Sequence, residues 1–109
     1  MTTEAQAAAA KFSNDLTDAQ LERLAILSEE MGEAQQAIGK IIRHGYESFD
    51  PTGQVSGDNR FILTKELGDV LTAIEFMVDA KDVSEMAIQN RGIEKRQKIQ
   101  PYLHHQETL

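Results

Sequence analysis

Cysteine is absent from this sequence, so neither disulfides nor thiolate metal sites can form. Positive charge is scarce. Eleven Lys and Arg stand against 18 Asp and Glu, a net charge of −7. The chain therefore lacks the basic footprint by which nucleic acid or an anionic membrane would be bound. No stretch reaches the run of about 18 apolar residues that a membrane-spanning helix needs. The opening MTTEAQAAAAKF has an alanine run but neither a basic n-region nor a long apolar h-region. The expectation is a cytoplasmic protein that partners neither nucleic acid nor membrane. Proline occurs only twice, at Pro51 and Pro101, which leaves long stretches free to be helical.

What is present is helical periodicity. With 109 residues, 40% of them hydrophobic, the chain can form one small domain whose core has little surplus, so self-association is expected. Thr3 can cap a short helix up to about Phe12, which Ser13, Asn14 and Asp15 then break. Thr17 or Asp15 opens a long helix to about Arg43, ending before Gly45. The loop GYESFDPTGQVSGDN follows, long enough to be functional. Asn59 or Asp58 can cap a second long helix from about Arg60 to Ala80. Asp82-x-x-Glu85 has the form of a capping box for a third helix that Pro101 should stop. No strand signal is found. The expected fold is all-α: two long antiparallel helices and a C-terminal helix, completed into a four-helix-bundle core by subunit pairing. Residues 1–16 form an N-terminal segment, 17–102 the helical domain and 103–109 a polar tail.

The chemistry is carried by two carboxylate pairs, Glu30-x-x-Glu33 and Glu66-x-x-Asp69. Residues three apart share a helix face, so each pair can grip one ion. The apolar stripe of the first helix comprises Leu27, Met31, Ala34, Ile38, Ile41 and Ile42, with Glu30 at its edge. Leu63, Leu67, Val70, Ile74, Met77 and Val78 repeat it beside Glu66 and Asp69. A shift of 36 positions superimposes both acids, Ser28 on Thr64 and Gly32 on Gly68. Packing both stripes into one core would bring the four acids together. A single such pair usually marks a solvated face. Two pairs in equivalent phase, each interrupted by a glycine that costs a helix roughly 1 kcal/mol relative to Ala, favour a site instead. Four converging carboxylates must take up protons or hold cations, and all-oxygen ligands favour Mg²⁺, Mn²⁺ or Ca²⁺.

The stretch SEEMGEAQQAIGKIIRHG followed by ELGDVLTAIEFM resembles the MazG-like branch of the all-α nucleoside triphosphate pyrophosphohydrolases, whose pattern is EExxE, a spacer, then ExxD. The likeness covers roughly Leu21 to Tyr102. It implies Mg²⁺-dependent cleavage of a nucleoside triphosphate between its α and β phosphates, giving a monophosphate and pyrophosphate, with Mn²⁺ as a substitute ion. It further implies that Glu30, Glu33, Glu66 and Asp69 are the metal ligands, and that Glu29 positions the attacking water or a second ion. A homodimer or homotetramer is expected. Lys95, Asn90 and Arg91 on the third helix are candidate triphosphate contacts, although cations there also complement the helix dipole. Arg43 and His44 end the first helix at the loop, where either could reach phosphate or base. Lys65 could pair with an acid. Phe49, Tyr46 and Phe61 are candidate stacking residues, and His104 and His105 lie in the polar tail.

Two rival classes are separable. Di-iron carboxylate bundles use Glu-x-x-His, and no His stands three after any helical Glu here, which disfavours redox iron. A purely structural assembly module would use the stripes without needing the acids at all.

Overall fold

The computed structural model describes residues 3–6 and 13–107. Three long helices follow one another: α1, Asp18–His44; α2, Asn59–Asp79; and α3, Glu85–Ile99, continued by a 3-10 turn, Gln100–Tyr102. Among the described residues there is no strand, and the one β-bridge is an isolated antiparallel pair, Phe49 with Asp58.

Helix α1 starts where local chemistry says it should. The Thr17 hydroxyl accepts a hydrogen bond from the Gln20 amide at 3.1 Å, and the Thr17 amide donates to Gln20 Oε1 at 2.9 Å, a reciprocal capping box. Asp18 in the first turn and Arg43 and His44 in the last turn both complement the helix dipole. The helix stops at Gly45, whose φ of +89° suits a residue without Cβ and whose amide donates to the Ile41 carbonyl at 2.7 Å.

The loop after α1 is organised around Asp50. Its carboxylate accepts from the Thr52 amide and hydroxyl and from the Val55 amide, and these bonds hold its pKa below the usual aspartate range. Gly57 has φ +87°, and a Cβ there would stand 2.5 Å from Cδ1 of Phe61. Of the two expected caps for α2, Asp58 serves: its Oδ1 accepts from the Phe61 amide at 2.9 Å. Asn59 instead is buried, and its Nδ2 donates to the Gly45 carbonyl at 3.1 Å, tying the start of α2 to the end of α1. The Asn59 and Arg60 amides donate to Ser48 and Tyr46 carbonyls, and the Arg60 guanidinium lies 4.3 Å from the centre of the Tyr46 ring.

The cap of α3 corrects the expected Asp82 box. Ser84 is the cap residue, and its hydroxyl accepts from the Ala87 amide at 3.2 Å. Ser84 takes the position because Lys81, at φ +63°, turns the chain first, leaving Asp82 two residues before the cap. Pro101 ends the regular helix by lying in the 3-10 turn rather than just beyond it. Thr3 caps a helical turn at residues 4–6, and the rest of the short helix expected up to Phe12 falls outside the described residues.

The chain divides into two compact units, Met1–Ala73 and Ile74–Leu109, with the division inside α2. In the first, α1 and the greater part of α2 form an antiparallel hairpin. Its buried residues are small: Ala34, Ala37, Ala73 and Asn59. This departs from the expected core of broad apolar stripes. Met31 is 55% exposed, Ile42 80% and Leu67 51%, because two helices alone cannot enclose a stripe as wide as theirs. In the second unit Met77 is buried, while α3 has no buried residue.

Candidate metal centre

The antiparallel hairpin places the middle of α1 opposite the middle of α2, and both carboxylate pairs occupy that level. Glu30, Glu33, Glu66 and Asp69 each direct one oxygen into a cluster in which all four atoms lie within 4.8 Å of one another. Three-residue spacing aligns the acids within each helix, and the helix pairing aligns the two pairs.

The electrostatics of this cluster are unresolved by the protein itself. Glu30 and Glu66 are partly buried, and the Oε2 atom of each is shielded from solvent without a hydrogen-bond partner. A shielded carboxylate oxygen with no donor carries its full desolvation cost. The Glu66 carboxyl is accordingly pushed above the usual glutamate range, first by desolvation, then by the facing Glu33 carboxyl and the negative charge of Asp69. Lys65 opposes this only in part. Two remedies exist, a shared proton or a cation. The shielded, unpartnered oxygens and the all-oxygen donor set fit a hard divalent ion, and the four acids could bind one.

A Cβ added to Gly32 or Gly68 would meet nothing within 4 Å, so no close approach within this chain demands either residue.

The other expected site residues are distributed elsewhere. Glu29 is exposed and stands outside the four converging acids. Asn90, Arg91 and Lys95 lie exposed on α3 in the second unit, where Arg91 pairs with Glu94 at 3.1 Å. Arg43 and His44 line a cavity of about 500 Å³ at the hairpin end, together with Lys40, Phe49, Asp50 and Asn59. Of the stacking candidates, Tyr46 lies under Arg60, Phe61 lies beside Gly57, and Phe49 borders this cavity. His104 and His105 face each other in the tail, ring centres 6.5 Å apart.

Sequence reasoning did not single out Lys40, and treated Asn59 only as a cap. For Lys40 the signal was available: it follows Glu33 by seven residues, two turns along the same face of α1. No protein-family model, curated protein or solved structure matches the chain.

Proposed function

We propose that this protein is a Mg²⁺-dependent nucleoside triphosphate pyrophosphohydrolase, releasing a monophosphate and pyrophosphate and so controlling a nucleotide pool in the cytoplasm. One observation carries the reading: four carboxylates from two helices converge within 4.8 Å while Glu30 and Glu66 each keep a shielded oxygen unpartnered. A purely structural seam gains nothing from that arrangement. A bound divalent ion would supply Lewis acidity toward phosphate oxygens and acidify a bound water.

Glu30, Glu33, Glu66 and Asp69 would hold the metal, Mg²⁺ or Mn²⁺ in its place. Glu29, exposed and next to Glu30 in the sequence, would orient the attacking water. Asn90, Arg91 and Lys95 are the proposed phosphate contacts, and Arg43 and His44 line the cavity where the rest of a nucleotide can lie. The resemblance of EExxE and ExxD to the MazG-like motifs supports the same assignment.

The proposed assembly is a homodimer or homotetramer whose subunits pair their hairpins into a four-helix core. Its support is the apolar surface left open on α1 and α2, where Met31, Leu67 and Leu71 are each more than half exposed. The same surface favours a second reading, a helical assembly module without catalysis.

Pyrophosphate release from a panel of ribo- and deoxyribonucleoside triphosphates with Mg²⁺, run beside the Glu30→Gln, Asp69→Asn double variant, separates the two. Release that the double variant lacks establishes the hydrolase. A panel with no release above the variant's background, with Mg²⁺ or Mn²⁺, leaves the assembly module as the better account.

A further inference from the structure

The cavity at the hairpin end has an unbalanced inventory of hydrogen-bonding groups. Its one carboxylate and one of its carbonyls are engaged within its own wall: Asp50 accepts from Thr52 and Val55, and the Ser48 carbonyl accepts from the Asn59 amide. Its donors are not. Lys40, Arg43 and His44 line it from α1, all three are exposed, and none makes a side-chain hydrogen bond or ion pair among the described residues. Lys and Arg donate and never accept. Phe49, 67% exposed, adds an apolar ring to the same wall. The volume, about 500 Å³, lies in the usual range of small-molecule sites. This wall asks for a flat ligand whose edge carries acceptors.

Its position relates it to the acid cluster. Lys40 and His44 follow Glu33 by seven and eleven residues, which puts both within about 20° of its direction on α1. At 1.5 Å per residue, Lys40 lies about 10 Å further along the helix. On α2, Asn59 precedes Glu66 by seven residues, on the same face. Cluster and cavity thus lie along the same faces of the same two helices.

We infer that the cavity selects the base of the substrate, and that it takes bases presenting carbonyl oxygens, the 4-oxo pyrimidines and 6-oxo purines, in preference to their amino counterparts. This rests on the hydrolase reading, which assigns the phosphates to the acid cluster and leaves the cavity further along the two helices to the base. Arg43 and Lys40 supply the donors, as Arg and Lys do when they bind the O6 and N7 acceptors of guanine. Phe49 supplies the stacking face. An amino group turned toward these cations leaves donor against donor, an unpaired contact that discriminates strongly.

The test is binding of free nucleosides to the full chain in EDTA, followed by backbone amide shifts over residues 40–55. Uridine and inosine should bind about tenfold more tightly than cytidine and adenosine, the effect of one hydrogen bond to a charged donor. Arg43→Gln and Lys40→Gln, both at exposed positions, should erase that preference, and Glu66→Gln should leave it intact. Equal binding of all four nucleosides, no shift with any, or displacement of a bound nucleoside by inorganic phosphate would overturn the inference. Pyrophosphate release, measured separately, keeps the two claims apart: an inactive protein that retains the oxo preference sinks only the hydrolase, and an active one without it sinks only the base pocket.

Discussion

Glu33 of α1 and Glu66 of α2 face each other across the hairpin, acid against acid in a cluster whose oxygens lie within 4.8 Å of one another, with the Glu66 carboxyl held above the usual glutamate range. Carboxylates held this close repel one another once ionised. Glu66→Gln keeps the shape and supplies a permanent donor. In EDTA at neutral pH this variant should therefore melt about 2 to 5 °C higher than the parent, by removing like-charge repulsion. A lower melting temperature by calorimetry would contradict the strained cluster.

Metal should reverse that order. An ion that binds only the folded cluster stabilises it by mass action, about 2.7 kcal/mol at a hundredfold excess over its Kd. Mg²⁺ or Mn²⁺ should raise the melting temperature of the parent and leave Glu30→Gln and Glu66→Gln nearly unmoved. A thermal-shift titration decides this without any substrate.

The pH dependence of the metal-free protein follows from the direction of two shifts. Glu66 is raised, so between the ordinary glutamate value and its own the folded state binds more protons than the unfolded state. That stabilisation is complete below about pH 4.3 and is lost as pH rises through the folded pKa. Asp50 is lowered, so its contribution is present above about pH 3.9 and fades as pH falls further. Stability in EDTA should peak in mildly acid solution. Glu66→Gln should flatten the alkaline side, and Asp50→Asn the acid side, of a melting-temperature profile.

Gly57 is the loop position least open to change. At φ +87°, with a prospective Cβ 2.5 Å from the Phe61 ring, Gly57→Ala should cost about 1 to 3 kcal/mol in denaturant unfolding. Gly53→Ala shares the positive φ but meets no neighbour, and should cost less.

Leu71 lies on the open side of α2, 57% exposed. Leu71→Lys should change little within one chain but place a charge in the proposed subunit core, shifting sedimentation from oligomer to monomer. An unchanged sedimentation coefficient would remove Leu71 from the interface.

Much of this was legible in the sequence because local rules act at short range. The Thr17 cap with Gln20 three residues on, Gly45 after the last turn of α1, and the three-residue acid spacing are read from a few neighbours each. The convergence of the quartet needed only that both helices face each other. Longer-range features were less accessible. Ser84 displaced Asp82 as a cap because Lys81 adopts a left-handed turn, which a lysine does not announce. The buried seam settled on alanines rather than on Met31, Ile38 and Leu67, since periodicity marks an apolar side without saying how much of it one partner helix can cover. The cavity depends on a fourteen-residue loop, 45–58, folding back on its Asp50 hub, and no repeating pattern encodes that.

The alanine seam carries one more consequence. Helices approach to the distance their contacting side chains permit, and Ala34, Ala37 and Ala73, at 7%, 5% and 2% exposure, fill the hairpin where it carries the acids. They work as a spacer gauge: the bore of the oxygen cage is set by methyl groups that touch no ion. Exchanging Ala37 for a bulkier residue would widen that bore, and on the proposed metal reading would move the preference from a small ion such as Mg²⁺ toward a larger one such as Ca²⁺.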